Sequence, residues 1–367
     1  MRSEIKTALI LGIVIVTGLG ILGMIFSTLD QVPSSVSIDE NGITKIDKSG
    51  FKKAPDLVGI ANYLNTTPEE LEKEMVNKVI LYDIWTYSCI NCIRTLPFIT
   101  AWDDKYSDKG LLIIGIHSPE FEFEKDIENV KLAVAKYNIQ YPVVLDNEKQ
   151  TWKAFENNYW PRKYIADHEG YLRYDHIGEG GYQETEKVIQ SLLKERSNSL
   201  GMPVAATENL VSIEEFEHSW LRTPELYFGY NFAQGRNQLG NQEGFQPNKE
   251  VVYSIPKIQN LHNFYLNGTW LNKESSMELV SDSGTILLPY KGKEVNIVTA
   301  GEANLQIMID GNIIPTNIAG KDVGAQGRVH VTNPGLYNIV NTNYSEEHTI
   351  EIMVNDKGFE IFTFTFG

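Results

Sequence analysis

Two apolar runs, VILYDIW (residues 79–85) and LLIIGIH (111–117), lack the polar alternation that a half-exposed strand shows. Runs of this kind need both faces of a sheet covered, as in a parallel sheet flanked by helices. Beyond them the period changes. FEKDIENVKLAVAKYNI (123–139) places Val130, Ala133, Val134 and Tyr137 on one stripe, the spacing of a helix with one buried face. A short run YPVVLD (141–146) and a helix from about residue 149 to 157 follow. KYIAD, the turn HEG, YLRYDHIG and the helix ETEKVIQSLLKE complete the pattern. Strands alternating with helices predict an α/β sheet with the final hairpin as an antiparallel edge.

After about Arg196 helical periodicity fades, and short β-type runs recur between turn signals: GTILLPY, EVNIVTAG, LQIMIDGN, LYNIVN, HTIEIMV and FEIFTFTFG. Asp310-Gly311 between two apolar runs is a hairpin signal. Regular short strands with Gly and Asn turns predict a β-sandwich or jelly roll. At 367 residues the chain exceeds what one core usually organises. The expected division is an α/β domain over 51–197, a linker over 198–211 and an all-β domain over 212–367.

The N-terminus carries no charged residue from Thr7 to Leu29. At ~1.5 Å per helical residue this stretch spans a ~30 Å hydrocarbon core, so a single-pass transmembrane anchor is expected over 7–29, with a spacer at 30–50. Arg2 and Lys6 precede it and Asp30 follows it, which places the N-terminus in the cytoplasm and the rest of the chain outside. A net charge of −16 argues against nucleic acid as a partner, since phosphate binding needs a basic surface.

The chain has two cysteines, Cys89 and Cys92, in WTYSCINC. Outside the cytoplasm disulfides persist, but a pair three residues apart closes almost no loop and stabilises little. Zinc would need further ligands that no recognisable His or Cys pair supplies, and covalent haem attachment would need His at the position of Ile93. Reversible thiol–disulfide chemistry remains. With a strand before it and a helix after it, Cys89 sits at a helix N-terminus, where the macrodipole and free N–H groups favour a thiolate nucleophile. Cys92, one turn further in, is placed to resolve the mixed disulfide. Asp83 reads either as a buried carboxylate that takes the Cys92 proton or as a solvated strand-end residue. Pro97 falls inside the expected helix, where a kink is expected, and Pro161 falls at a strand entry suited to a cis bond.

Strand, C-x-x-C, helix proline and a later proline before a hairpin together resemble the thioredoxin fold. WTYSCINC, HSPEFEFEKDIENVKLAV, YPVVLDN, YWPRKYIADHEG and HIGEGGYQETE resemble, in order, the extracytoplasmic part of the DipZ proteins, relatives of the TlpA-type membrane-anchored thiol reductases. TPELYFGY, GKDVGAQG, PGLYNIV, EHTIEI and FTFTFG resemble the carbohydrate-binding-module-like jelly roll that follows in that family. The resemblance implies that Cys89 is the nucleophile, Cys92 the resolving cysteine and Pro161 the cis-proline. It places Trp85 as the active-site tryptophan and Trp160 where the backbone pairs with an incoming strand, both in contact with substrate. It implies no cofactor beyond the Cys89–Cys92 disulfide and no metal. The implied partners are exported proteins with disulfides, such as apocytochromes in cytochrome c maturation, and a glycan or protein ligand of the jelly roll. DipZ proteins carry a multi-helix membrane domain where this sequence has one apolar segment, so a separate membrane electron donor of CcdA type is expected. Net reduction is preferred over net oxidation, which stays open.

Other motifs point to structure. Trp220, Tyr265, Trp270 and Tyr290 could stack on sugars but suit a β core. The glycines of HIGEGGYQ lack the Lys-Ser/Thr ending of a phosphate loop and read as a turn.

Overall fold

The computed structural model describes residues 36–38, 44–203, 209–217 and 222–367. The predicted anchor at 7–29 lies outside the described residues, and among those described no helix is long and apolar enough to cross a membrane. A hairpin of β1 (Val36–Ile38) and β2 (Thr44–Ile46) comes first. The α/β domain then runs β3 (Asn62–Leu64), α1 (Pro68–Glu74), β4 (Val79–Trp85), α2 (Ile90–Tyr106) and β5 (Leu111–His117). It continues with α3 (Ile127–Lys136), β6 (Val143–Leu145), α4 (Gln150–Ala154), β7 (Arg162–Ala166), β8 (Leu172–Ile177) and α5 (Tyr182–Ser199).

The sheet order is β3-β6-β5-β4-β7-β8. β4 is central, parallel to β5 and antiparallel to β7, and β7–β8 is the expected antiparallel edge. Strands β4 and β5 are buried along their whole length, as their unbroken apolar runs require. Successive side chains of β4 enter different cores. Val79, Leu81 and Trp85 join Leu96, Trp102 and Ile189 of α2 and α5, whereas Ile80, Tyr82 and Ile84 join Leu71, Ile114 and Trp152.

Two helices differ from their sequence expectation. Helix α3 starts at Ile127 because Asp126, in extended conformation, accepts the Glu128 N–H as a cap, while Glu122–Lys125 form a separate tight turn. Helix α2 continues without interruption through Pro97, whose ring lies on the exposed side.

The second unit is all β: β9 (Leu226–Tyr227), β10 (Glu250–Tyr253), β11 (Tyr265–Asn272), β12 (Met277–Leu279), β13 (Gly284–Ala300), β14 (Ala303–Ile309), β15 (Asn312–Ile313), β16 (Arg328–Val331), β17 (Gly335–Val354) and β18 (Glu360–Phe366). All belong to one hydrogen-bonded ladder rather than two separate sheets. The reason lies in the long strands. β13 pairs with β11 through its first residues and with β18 through its last, with register shifts on either side of Val295 in its pairing with β17. Bulges of this kind let one strand bend and serve both layers around a core. Asp310 (φ 51°) and Gly311 (φ 77°) form the two-residue turn of the β14–β15 hairpin, both left-handed as such a turn requires. Tyr265, Trp270 and Tyr290 are buried in this domain and are core residues, whereas Trp220 lies outside the described residues.

The β domain docks where β4 and β5 end. Phe121 and Phe123, just beyond β5, meet Phe362 with ring centroids 5.0 and 4.9 Å apart. On α2, Arg94 pairs with Glu294 of β13 and with Glu179, and its guanidinium lies 3.5 Å from the Phe216 ring centroid.

Candidate active site

The turn Thr86–Cys89 joins the end of β4 to α2. Cys89 is the N-cap of α2, and its Sγ accepts the Cys92 N–H at 3.4 Å. Both thiols are free; Cys89 is half-buried and Cys92 is buried. Burial pushes the Cys92 thiol well above its ordinary range, and its hydrogen bond with Cys89 adds to the effect. Cys92 therefore holds its proton until a base removes it.

A buried carboxylate, Asp83, lies close enough for its charge to act on Cys92. Asp83 shares the β4 face of Leu81 and Trp85, whose side chains enter the core that contains Cys92. It is fully buried, not the solvated strand-end residue of the alternative reading. Burial pushes its carboxyl up to about 6 against the opposing charge of Lys163. Its Oδ1 is buried with no hydrogen-bond partner among the described residues. The neighbour of Asp83 on β5 is Gly115, where a Cβ would come within 3.1 Å of Trp85 Nε1 and 3.2 Å of the Tyr141 ring.

Lys163 was not singled out from the sequence. It is the direct partner of Asp83 on the antiparallel β4–β7 pair, so the two side chains share a face with Cβ atoms about 5 Å apart. Although fully buried, it donates from Nζ to the Gly178 carbonyl at 3.0 Å. Burial lowers it to about 8, with Asp83 the main opposing influence and Cys92 the next. The sequence signal was a lysine beside the apolar residues Tyr164, Ile165 and Ala166 of one strand, all of them buried. A second missed residue is Glu124, a fully buried carboxylate bonded to Ser88.

Trp160 precedes a cis peptide bond to Pro161, as expected for this position. Its indole N–H donates to the Ser118 carbonyl at 2.9 Å and its ring lies 4.3 Å from that of Trp152. The peptide N–H and carbonyl of Trp160 take no partner among the described residues. Trp85 is fully buried and packed edge-on against His117 at 5.3 Å, so in the free protein it forms part of the floor of the site. His117 is held between Trp85 and Tyr87, and burial lowers it to about 3, which keeps the ring neutral.

The clustered glycines before α5 form a turn. Gly181, at φ 61°, caps the helix, and a Cβ there would meet the His176 ring at 2.5 Å.

Comparison with known proteins agrees with this geometry. A family model described as Redoxin matches residues 48–193, and one described as a thioredoxin-like C-terminal domain matches 223–367. The chain is 32% identical over 334 residues to the DipZ proteins of Mycobacterium bovis and Mycobacterium tuberculosis, covering 89% of this chain and 44% of theirs. It thus spans less than half the length of those relatives. It is also 33% identical over 143 residues to the thiol-disulfide oxidoreductase YkuV of Bacillus subtilis, covering 38% of this chain and 94% of that protein.

Proposed function

Since this chain belongs to the thioredoxin-like family of thiol–disulfide oxidoreductases, we propose that it exchanges disulfides with protein substrates through Cys89 and Cys92, in the direction of net reduction. The observation that carries the reading is the stacking of function along one axis: a half-buried thiol at a helix N-cap, a buried thiol one turn on, and a carboxylate–ammonium pair beneath it.

The Cys89 thiolate attacks one sulfur of the substrate disulfide, and the substrate S–S bond breaks with release of a substrate thiolate. The resulting mixed disulfide is resolved from within. Ionised Asp83 takes the Cys92 proton, Cys92 attacks Cys89 Sγ, and the second substrate thiolate leaves. Two electrons have passed to the substrate and the enzyme holds the Cys89–Cys92 disulfide. Lys163 keeps Asp83 ionised near neutral pH and favours the transient Cys92 thiolate. The open backbone groups of Trp160 suit pairing with an extended substrate segment beside Cys89.

The reading extends to the outer face of a membrane, supported by the charge-free run Thr7–Leu29 and the flanking Arg2 and Lys6. There the substrates would be disulfides of exported proteins, such as apocytochromes, and a membrane dithiol donor of CcdA type would re-reduce the enzyme.

The deciding experiment equilibrates the fragment after residue 30 with glutathione or dithiothreitol buffers and follows the Cys89–Cys92 couple by tryptophan fluorescence. A potential near about −270 mV supports the reductase, one near about −120 mV supports a disulfide-forming oxidant, and the lack of a reversible couple overturns the redox reading.

A further inference from the structure

One buried carboxylate joins the turn that presents Cys89 to the surface on which the β domain docks. Glu124 lies in the tight turn Glu122–Lys125 and has no exposed surface. Its two oxygens serve different structures. Oε1 accepts the Ser88 N–H at 3.3 Å and the Ser88 hydroxyl at 2.6 Å, and Ser88 immediately precedes Cys89. Oε2 accepts the Glu120 N–H at 2.6 Å and the Phe121 N–H at 2.9 Å.

The residues on the Oε2 side carry the domain contact. The Phe121 ring is 5.0 Å from Phe362 and 5.8 Å from Phe232, and the Tyr227 hydroxyl donates to Glu120 at 3.1 Å. Phe123 spans both structures, 6.1 Å from Tyr87 in the active-site turn and 4.9 Å from Phe362 in β18.

We propose that Glu124 is a positioning residue through which docking of the β domain sets the presentation of Cys89, making the β domain a working part of the redox site. The inference rests on the dithiol chemistry proposed above. A carboxylate accepts hydrogen bonds on both oxygens, whereas an amide accepts on one and donates from the other. Glu124→Gln must therefore turn its NH₂ toward Ser88, whose hydroxyl can reverse and accept while its N–H loses its acceptor, or toward the Glu120 and Phe121 N–H groups, which both lose theirs; either way the joint is weakened on one side. Displacement of the β domain would act on the same joint from the other side.

The test uses the full chain and four variants: Glu124→Gln, Ser88→Ala, Tyr227→Phe and Phe362→Leu. Two properties are read besides the melting temperature: the equilibrium constant of the Cys89–Cys92 couple against glutathione, and the pH dependence of Cys89 alkylation. Glu124→Gln is expected to change the equilibrium constant about tenfold, or about 30 mV, and to move the alkylation midpoint. Phe362→Leu and Tyr227→Phe, both in the other domain, are expected to move both readouts in the same direction by less. Combined with Glu124→Gln, each should add less than its separate effect. If the two β-domain variants lower the melting temperature but leave both readouts at wild-type values, the coupling does not exist. If Glu124→Gln behaves in the same way, Glu124 is only structural. Should Glu124→Gln fail to fold, Ser88→Ala and Phe362→Leu decide the matter, since each disturbs one side of the joint alone. A wild-type chain without a reversible couple would instead overturn the redox reading itself.

Discussion

Replacing Lys163 with methionine tests the proton-transfer mechanism at its most exposed step. Methionine keeps most of the apolar stem and removes the ammonium. Asp83 and Lys163 are directly opposed across β4 and β7, where Cβ atoms lie about 5 Å apart. The ammonium, at the end of its stem on the Gly178 carbonyl, is further from the carboxylate than ion-pair distance; unit charges roughly 6 Å apart with an effective dielectric near 20 interact by about 3 kcal/mol, or about two pH units in a carboxyl's titration. Asp83 titrates near about 6 with Lys163 present. Without the ammonium it should titrate near roughly 8. At pH 7 the ionised fraction then falls from about nine-tenths to about one-tenth. The resolving step should slow roughly tenfold, because a general base works only in its deprotonated form. Loss of the ammonium also disfavours the Cys92 thiolate, which acts in the same direction. Stopped-flow decay of the mixed disulfide with a chromophoric substrate measures this step directly. The acid limb of its pH profile should move from near 6 to near 8, with most of the rate restored at pH 9. A limb that stays near 6 in Lys163→Met, or a defect that persists undiminished to pH 9, would refute the pairing of these two charges.

Two further substitutions probe the same site. Asp83 has a folded-state value of about 6 against an ordinary 3.8, so its neutral form favours the native state and its ionisation destabilises the fold as pH rises from about 4 to about 6. Asp83→Asn removes that loss: its stability advantage in urea titrations should grow across this window by up to about 3 kcal/mol and then level off, and an advantage independent of pH would contradict the assignment. Cys92→Ser removes the resolving thiol and should leave Cys89 linked to substrate as a mixed disulfide visible by mass spectrometry, whereas Cys89→Ser should leave none; trapping by the Cys89 variant alone would reverse the assigned roles.

The local order of elements was legible because it depends on local signals. The runs at 79–85 and 111–117 form the buried strands they suggested, and Asp310-Gly311 forms its hairpin turn. What the sequence left open depends on register. Lys163 is visible as a charge in an apolar strand, but only the β4–β7 pairing sets it opposite Asp83. Glu124 stood near the start of a predicted helix. Its burial depends on Ser88, 36 residues earlier, and on rings from the β domain packed around its turn. The full burial of Trp85 likewise follows from its place on the β4 face that enters the inner core, which the apolar run alone does not assign. The single ladder of the β domain follows from bulges in β13, which period-two alternation does not reveal.

A carboxylate and an ammonium buried beneath a thiol are unfavourable for folding, since desolvation commonly exceeds the attraction between such a pair. Both groups carry the mark of that cost, Asp83 being raised and Lys163 lowered by burial. The surrounding structure holds them in place. β4 is covered on both faces, and the turn before α5 aims the Gly178 carbonyl at the Lys163 ammonium. That turn, whose glycines superficially suggest a phosphate loop, thus presents the Gly178 carbonyl to a buried cation. Stability and resolution rate place opposite demands on position 83: a neutral side chain relieves the fold and removes the base. Substitutions there should move stability and the resolving rate in opposite directions, whereas a residue retained only for packing would lose both together.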